Sequence, residues 1–537
     1  MPTKQPATQR NSAYFASPTV IEDNLREYSL SRNEILPKLL PKIPVGGEGG
    51  VPLSYTKGKV FIDHTDSHTL VIGPTASKKS RLIVMPTVKI LAAAKESMII
   101  SDPKAEIFKR TAADLDKSGY KITVLNLRDP LFGSCWNPLH IPYKLYCQGE
   151  IDRVYEFAND VAMSLTAIDK SNKEPFWDNS AGSLFFGLTL LLFKYCQEFN
   201  KGMEAVNLKN IFRMRNIMCS GNSLKIQNSP LWNYAKTDDF IASILIGTIE
   251  TANDTRAGIL SMFDQKMRAF AIQPNLLDML AFNDFDFGDI TMQPTAFFLI
   301  VPDEKTSYHG LVSLFIKQSY EYIIFKAQSK KADITSNIRV NYILDEFSSL
   351  PTVNDFPAMI TAARSRNIRF NIIIQSKHQL QLRYEEESET IQTNCTNWIF
   401  LTSRELKLLE EISALCGKTN ATNEKPVLSV SDLQRFNKEA GEALILSGRH
   451  MPYIACLPDI DEYDGGMPKP YEFPVRSKRD SIILNFELPE SFANTLPANN
   501  LPQGLPPGLR PPFDVGRMIK EIENKIVELE AEEKNQK

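Results

Sequence analysis

Residues that bind metals or form disulfides are scarce and scattered in this sequence. The 537 residues include seven cysteines and six histidines, and no two cysteines form a CxxC pair. This distribution disfavours a structural zinc site, which needs closely spaced ligands, and a disulfide framework. A reducing cytoplasm is therefore the expected compartment.

Long hydrophobic runs are absent as well. The apolar stretch LFFGLTLLLF at 184–193 has ten residues, whereas a membrane-spanning helix needs about 18 or more. The first residues, MPTKQPATQRNSAYF, are polar and lack the apolar centre of a signal peptide. We therefore expect 184–193 to be a buried helix and the chain to have no membrane anchor of its own.

Excess positive charge is the third feature that the sequence lacks. Its 61 lysines and arginines are balanced by 64 acidic residues, which gives a net charge of −3. A protein with a broadly basic surface is therefore disfavoured, and any nucleic-acid contact must be local, in a groove, a loop or the inside of a ring. The length predicts about two or three domains.

Short apolar runs, separated mostly by helix-like periodicity, recur along much of the chain. Buried strands that alternate with helices predict an α/β fold with a mainly parallel sheet covered on both faces. The runs are TLVI (69–72), SMII (97–100), KITVLNL (121–127), TAFFLIV (295–301), VNYILDEF (340–347), FNIIIQS (370–376), NWIFL (398–402) and EALILSG (442–448).

The regions between and around these runs suggest the domain organisation. Residues 150–290 show helical periodicity and no convincing strand, which predicts an all-α domain inserted into an α/β core of residues 51–149 and 291–456. Residues 1–50, which end in GGEGG, are expected to be an irregular segment with a few helical turns.

The C-terminal region differs from the rest in composition. Residues 457–512 contain eleven of the 33 prolines, which predicts an extended or partly disordered segment. Residues 513–537 predict a charged helix with one apolar stripe, which either docks on the chain's own core or binds a partner.

A candidate phosphate-binding loop lies between the strand HTLVI and the helix RLIVMP. Gly73, Lys79 and Ser80 occupy the first glycine, the lysine and the hydroxyl positions of GxxxxGK[ST], in which backbone N–H groups surround phosphates and the hydroxyl binds Mg²⁺. Lys78 replaces the second glycine, so a basic turn without a ligand is the alternative. The predicted nucleotide-binding loop comprises Gly73, Pro74, Thr75, Ala76, Ser77, Lys78, Lys79 and Ser80.

Two carboxylates follow the apolar run of RVNYILDEF. In P-loop ATPases an aspartate at this place holds Mg²⁺ through water, and an adjacent glutamate polarises the attacking water. Asp345 and Glu346 are the candidates, and a helix cap is the alternative.

Two further strand ends are polar. Asp102 follows the run at 97–100, and Gln375 follows the run at 370–374. Ligands of open parallel sheets bind along the carboxyl edge of the strands. We therefore expect Asp102 and Gln375 to lie at one edge with Lys79 and Asp345, where Gln375 senses the γ-phosphate and Ser80 and Asp345 hold Mg²⁺.

An arginine-rich segment, TAARSRNIRF, follows the acidic pair. Arg364, Arg366 and Arg369 are candidates for an arginine supplied in trans to a neighbouring subunit of a ring-shaped ATPase. Most surface arginines have no such role, and the same cluster could instead contact the phosphates of a nucleic acid. No basic cluster is interleaved with aromatic residues as in single-strand binders.

Taken together, these motifs resemble those of the TraG-type coupling ATPases of type IV secretion and bacterial conjugation. The resemblance extends from about residue 60 to 450, and the motifs occur in the family's order. They are GPTASKKS, the Pro86 helix RLIVMPTVKIL, SDPKAEIFKRT, CWNPL, EPFWDNSAGSLFFGL, LDEFSSLP, ARSRNIRF and IIQSKHQL.

The resemblance implies a RecA-like P-loop motor that carries an all-α domain and forms homo-hexameric rings. Such rings hydrolyse ATP and deliver DNA, as a relaxase–DNA complex, or protein cargo to a secretion channel. By position, Lys79 and Ser80 would bind phosphate and Mg²⁺, Asp345 would hold the metal, Glu346 would activate water and Gln375 would be the sensor.

The sequence departs from the family in two respects. Most members carry an N-terminal transmembrane pair, so we expect this chain to reach the cytoplasmic face of the inner membrane through partner subunits. Ala76 and Lys78, and Ala105 in SDPKAE, replace glycines of the family. Three functions remain open: a DNA-transfer motor, a non-hydrolysing cargo receptor or assembly subunit, and a pump related to chromosome-segregation or repair translocases.

Overall fold

The computed structural model describes residues 22, 25–31, 34–37, 48–166, 175–302, 308–329, 338–419, 425–448, 450–464 and 471–492. The chain divides into two compact units. The first comprises Met1–Ile141 and Ala269–Ser481, and the second comprises Pro142–Arg268 and Ile482–Lys537. The predicted helix at 513–537 and the prolines beyond 492 lie outside the described residues.

All strands among the described residues belong to the first unit, and they form two sheets. A four-stranded sheet has the order β2-β1-β4-β3, and a nine-stranded sheet has the order β13-β12-β11-β5-β10-β9-β6-β8-β7. The strands are β1 (Arg26–Ser31), β2 (Glu34–Pro37), β3 (Val51–Thr56), β4 (Lys59–Asp63), β5 (His68–Ile72), β6 (Ser97–Ser101), β7 (Lys121–Asn126), β8 (Thr295–Ile300), β9 (Val340–Leu344), β10 (Ile368–Ile374), β11 (Cys395–Phe400), β12 (Glu442–Ser447) and β13 (Tyr453–Cys456).

The large sheet is mainly parallel. All neighbours from β11 to β7 pair in parallel, and only β12 and β13 run antiparallel at one edge. Strands β5, β6, β8, β9 and β10 are buried at every residue, as expected when helices cover both faces of a parallel sheet. Each of the eight apolar runs forms a strand of this sheet, so the predicted α/β fold is confirmed.

Helices fill the intervals between the strands and form most of the second unit. In chain order they are Met85–Ala93, Glu106–Lys117, His140–Gln148, Ile151–Leu165, Pro175–Glu198, Leu208–Met218, Ser223–Gln227, Pro230–Ala235, Asp239–Ile249, Asn253–Ala271, Pro274–Met279, His309–Ser329, Phe356–Ala363, Lys377–Tyr384, Glu387–Asn394, Leu406–Cys416, Val430–Leu433 and Ile460–Asp464.

The small sheet corrects the expectation of an irregular segment at 1–50. Strand β1 pairs with β4, so a pairing across some 30 residues of sequence organises this part of the chain, and its short pattern REYSLS gives little local sign of a strand. The last two glycines of GGEGG, Gly49 and Gly50, are closely packed. A Cβ at Gly50 would lie 1.9 Å from the carbonyl oxygen of Asp63, so close backbone approach requires glycine there.

The described part of the second unit, residues 142–166, 175–268 and 482–492, contains helices and no strand. The run 184–193 lies in the helix Pro175–Glu198 and is buried along most of its length, which confirms the buried helix. Among the described residues, no helix combines the length and apolar character of a membrane span.

Residues 482–492 of the proline-rich extension also belong to the second unit. The carbonyl oxygen of Ile482 accepts hydrogen bonds from the side-chain amides of Asn207 and Asn210. The Phe486 ring packs against Tyr195, with 5.1 Å between the ring centroids. Buried asparagines therefore satisfy the extended backbone of this segment.

Candidate functional site

Strand order brings the predicted site residues to one edge of the large sheet. Strand β10 lies between β5 and β9, and β6 lies beside β9. In the registers, Ile374 is opposite Ile72, while Leu344 is opposite both Ile372 and Ser101. Because these strands are parallel, the segments that follow them all leave the sheet at its carboxyl edge, as predicted.

The loop after β5 is compact. The amide of Gly73 donates to the carbonyl of Ile374 on β10, and both the amide and the hydroxyl of Ser77 donate to the carbonyl of Pro74. A Cβ at Gly73 would lie 2.5 Å from Ser77 Oγ, so any other residue there would displace the Ser77 side chain. Ser80 begins a π-helical turn, Ser80–Val84, that leads into the next helix.

The loop keeps the backbone that glycine normally provides at the two positions where glycine is replaced. Ala76 has a φ of 63° and Lys78 a φ of 67°. Left-handed residues within a turn help successive N–H groups to converge on an anion. Each such non-glycine residue costs about 1–2 kcal/mol, so the loop conformation is retained despite local strain.

Lys79 is buried within this loop. Its ammonium donates to the carbonyl oxygens of Gly73 and Pro74, at 2.6 and 3.1 Å, and the residue is 6% exposed. Burial lowers the pKa of Lys79, while the nearby carboxylates of Glu346 and Asp345 oppose that shift. A cation is thus held where the lysine of a phosphate-binding loop is needed.

Lys78 extends away from the loop. Its ammonium lies 2.5 Å from Glu439 Oε2, in the connection that precedes β12. The substitution therefore leaves the backbone of the loop in place and adds an ion pair outside it.

The acidic pair follows β9. Asp345 is 5% exposed, and its Oδ1 accepts a hydrogen bond from the amide of Glu346. Burial and, to a lesser extent, the negative charge of Glu346 raise the pKa of Asp345 to about 7, while Lys79 opposes the shift. A divalent cation would favour the ionised form of this carboxyl group.

A chain of side-chain hydrogen bonds joins the loop to the acidic pair. The Thr75 hydroxyl donates to Gln375 Oε1, at 3.0 Å, and Gln375 Nε2 donates to Glu346 Oε2. Gln375 is therefore in contact with both the loop and the glutamate.

Asp102 lies at the same edge but has a structural contact as well. Its Oδ2 accepts a hydrogen bond from the amide of Phe108 in the helix Glu106–Lys117, at 2.8 Å, while its Oδ1 is buried without a partner. Burial raises the pKa of Asp102 to about 6. Ala105, the residue before that helix, has a φ of 58° and thus also keeps the backbone of the glycine it replaces.

The residues at this edge could hold Mg²⁺ only together with the phosphates of a bound nucleotide and water. Among the described residues, no group of three or more histidine, cysteine or acidic side chains is arranged to hold a metal. Mg²⁺ in phosphoryl-transfer sites is held by one or two protein side chains, substrate phosphates and water, so a full protein cage is not needed. The Ser80 hydroxyl and Asp345 suit that arrangement.

The three arginines lie apart from this site. Arg364 and Arg366 form a short turn before β10, so they are at the opposite edge, about 20 Å away along a seven-residue strand. The hypothesis that Arg369 is a trans-acting or phosphate-contacting residue is wrong. Arg369 is 2% exposed and donates hydrogen bonds to Glu96, Asn341 and the carbonyl of Gly49. Its charge therefore neutralises the buried carboxylate of Glu96.

Several acids beside the loop were not anticipated from the sequence. Arg81, just after Ser80, pairs with both carboxylate oxygens of Asp459 and with Asp461, and Arg110 pairs with Asp461. These partners are more than 350 positions apart in the chain. The acid-rich stretch LPDIDEYD was the only sequence signal for them.

Comparisons with known proteins agree with this architecture. The profile of the family Type IV secretory system Conjugative DNA transfer matches residues 22–440, and no curated protein sequence matches the chain. Plasmid coupling protein TrwB in complex with the non-hydrolysable ATP analogue ADPNP superposes with a TM-score of 0.56 at 14% identity, covering 88% of this chain and 96% of that one.

Two further TrwB structures give the same result. The unbound monoclinic form has a TM-score of 0.57 at 14% identity, with 88% and 96% of the two chains covered. The complex with ADP and Mg²⁺ has a TM-score of 0.55 at 15% identity, with 87% and 96% covered. At such identity these likenesses establish the fold, a RecA-like P-loop NTPase core. Because the family profile matches most of its length, the chain belongs to the conjugative DNA-transfer family of type IV secretion systems.

Proposed function

We propose that the protein is an ATP-driven coupling protein that delivers DNA, carried as a relaxase–DNA complex, or protein cargo to a type IV secretion channel. The observation that carries this proposal is the convergence of Lys79, Gln375 and the Asp345–Glu346 pair at one sheet edge. Family membership supports a role in conjugative DNA transfer, and the residues at this sheet edge support a nucleotide site.

The proposed ligands of the site are ATP and Mg²⁺. TrwB has been solved with ADPNP and with ADP and Mg²⁺, and this chain keeps the loop conformation and the buried lysine that phosphate binding needs. The loop amides and Lys79 would hold the phosphates, and Ser80 and Asp345 would hold Mg²⁺. Asp102 would keep the pocket acidic beside Asp345.

Hydrolysis would depend on Glu346 and Gln375. The bound nucleotide supplies the phosphoryl group and the free energy of its transfer to water. Glu346 would orient a water molecule and take its proton. Gln375 would hold that carboxylate and report on the loop through Thr75, since its amide contacts both.

Assembly and localisation are further parts of the proposal, and the family match supports them. We propose a homo-hexamer that associates with channel subunits at the cytoplasmic face of the inner membrane, through partner proteins. Arg364 and Arg366 are too far from their own chain's site to act there, so any catalytic role for them would be in a neighbouring subunit.

A second candidate is a non-hydrolysing cargo receptor or assembly subunit. The strained residues Ala76 and Lys78 favour it, because a loop that has lost two glycines has lost the residues best suited to its backbone. It predicts no nucleotide affinity and full function after Lys79→Ala.

Steady-state ATP hydrolysis distinguishes the two candidates. The wild-type chain is measured with Mg²⁺, with and without DNA, over a range of protein concentrations, beside Glu346→Gln. The motor predicts turnover that DNA stimulates and that Glu346→Gln reduces at least about 100-fold. No turnover at any protein concentration would reject the motor and leave the receptor.

A further inference from the structure

Lys78 occupies a place where a long cationic side chain is unexpected. It precedes the buried Lys79, has a left-handed backbone with a φ of 67° and reaches Glu439 Oε2 at 2.5 Å. The Lys78 side chain is 24% exposed and the Glu439 side chain is 68% exposed. The pair is therefore formed at the surface, directly beside the loop.

Neighbouring charges make Lys78 the more easily released cation of this cluster. Arg81 is held by both oxygens of Asp459 and also by Asp461, whereas Lys78 has one exposed carboxylate, Glu439. Bidentate arginine pairs are stronger and geometrically fixed, while a lysine ammonium is a point charge on a flexible stem. Exposed pairs contribute little and break easily.

The electrostatic surroundings agree with this assignment. The ammonium of Lys78 lowers the pKa of Glu439 through its hydrogen bond and its charge. The pKa of Asp459 is also lowered. Burial opposes this second shift, the hydrogen bond from Arg81 favours it, and the charge of Lys78 adds to it. The charge of Asp459 acts against ionisation of Glu439. The Lys78 ammonium thus acts on two acids, Glu439 and Asp459, which flank β12 and β13 in the sequence and are not part of the loop.

We propose that Lys78 is a second anion-binding residue of the loop and that Glu439 is its intramolecular competitor. In the nucleotide-free chain the carboxylate of Glu439 holds the ammonium, and the polyphosphate of a nucleotide draws it away. This inference rests on the proposed function, because it concerns the affinity of the same nucleotide site. It gives the loop a cation in place of a glycine and couples nucleotide binding to the connection before β12.

The physical basis is a competition between two anions for one lysine. A charge-assisted hydrogen bond to a phosphate oxygen in a loop that already contains Lys79 exceeds a solvent-screened pair with one exposed carboxylate. The loop backbone needs no change for this exchange of partners, because Lys78 already has its left-handed conformation while it is paired with Glu439.

A double-mutant cycle of ATP affinity tests the proposal. Calorimetric titration with ATP and Mg²⁺ is carried out on the full-length wild type, Glu439→Gln, Lys78→Met and the double variant. Lys78→Met keeps the backbone strain and most of the stem length and removes the charge. Asp116→Asn, at the exposed C-terminal end of the helix Glu106–Lys117, removes an equal charge at the opposite edge and serves as the control.

The expected result is a tightening of about two- to fivefold in Glu439→Gln and a weakening of about tenfold in Lys78→Met. In the Lys78→Met background, Glu439→Gln has no further effect, and Asp116→Asn matches the wild type. Unchanged or tighter binding in Lys78→Met would overturn the inference, and so would an equal effect of Glu439→Gln in both backgrounds. Absence of ATP binding in every variant would instead reject the proposed function on which the inference rests.

Discussion

The side-chain amide of Gln375 donates a hydrogen bond to Glu346 Oε2, across the boundary between β10 and β9. The other end of the same amide accepts a hydrogen bond from Thr75 in the loop after β5. Three adjacent strands are therefore linked through one side chain at the carboxyl edge. A change at the loop has a direct structural route to the glutamate.

This link predicts a selective loss of turnover when Gln375 is removed. Gln375→Ala should lower ATP hydrolysis about 10- to 100-fold, because Glu346 loses the amide that positions it. ATP affinity should change by less than about threefold, since Lys79 and the loop amides remain. Phosphate release and calorimetry measure the two quantities.

A matched control for this prediction is Gln379→Ala. Gln379 accepts a hydrogen bond from Ser348 and lies four residues further on, in the helix Lys377–Tyr384. The Gln379→Ala variant should hydrolyse ATP like the wild type. An equal loss of turnover in both variants would point to general disruption of this helix instead of a positioning role for Gln375.

The strained loop predicts that restoring a glycine stabilises the chain. Ala76 is exposed and has a φ of 63°, so Ala76→Gly should raise the free energy of unfolding by about 0.5–1 kcal/mol, after the entropy of the new glycine is subtracted. Ala113→Gly, inside the helix Glu106–Lys117, should lower it by about 0.5–1 kcal/mol. Denaturant unfolding of both variants provides the comparison. Equal destabilisation by the two substitutions would contradict the inference that the backbone of Ala76 is strained.

Arg369 should matter for stability and not for nucleic-acid binding. Arg369→Met leaves the fully buried carboxylate of Glu96 without its main partner, which should cost about 3–5 kcal/mol. Arg364→Met, an exposed position, should change stability by less than about 0.5 kcal/mol. Chemical unfolding measures the stability of both variants. Similarly small effects of the two substitutions would show that the ion pair between Arg369 and Glu96 is not needed for stability.

The raised pKa of Asp345 predicts a pH-dependent stability of the nucleotide-free chain. Its carboxyl group ionises near 7 in the folded chain and near 4 when unfolded. The folded state therefore binds more protons in this interval, and stability decreases as the pH rises from about 4 to above 7. Asp345→Asn should consequently be more stable than the wild type by about 2 kcal/mol at pH 8.

The same comparison at low pH provides the control. Near pH 4 the carboxyl group is protonated in the folded chain, so the advantage of Asp345→Asn should disappear. Asp116→Asn, at an exposed site, should follow the wild type at every pH. An advantage of Asp345→Asn that is equal at pH 4 and pH 8 would indicate better packing rather than relief from a buried charge.

Much of the core could be predicted because a buried parallel sheet leaves a strong sequence signal. Strands β9 and β10 each end in an apolar run, YIL and III, and parallel order places their polar successors, Asp345 and Gln375, at one edge. The pairing of β1 with β4 gave no such signal, because it depends on distant residues. The close packing of Gly50 depends on Asp63, also distant in the sequence.

Side-chain directions at the site were less predictable than its location. Nothing near Lys78 indicates that its partner is Glu439, and nothing near Arg369 indicates burial against Glu96, since both pairings are set by tertiary packing. Motif resemblance gave the positions of the replaced glycines, and the structure shows that all three keep a left-handed backbone. A motif comparison alone treats the replacements at Ala76 and Lys78 as damage to the loop.

Calorimetric titration with ATP, in the presence and absence of Mg²⁺, tests the central claim most directly. The wild type should bind ATP in a saturable, Mg²⁺-dependent manner, and Lys79→Met should bind at least about tenfold more weakly. Lys109→Met, an exposed lysine on the helix after Asp102, should bind like the wild type. Binding that appears only in Lys78→Gly, with none in the wild type, would contradict a nucleotide-driven coupling protein.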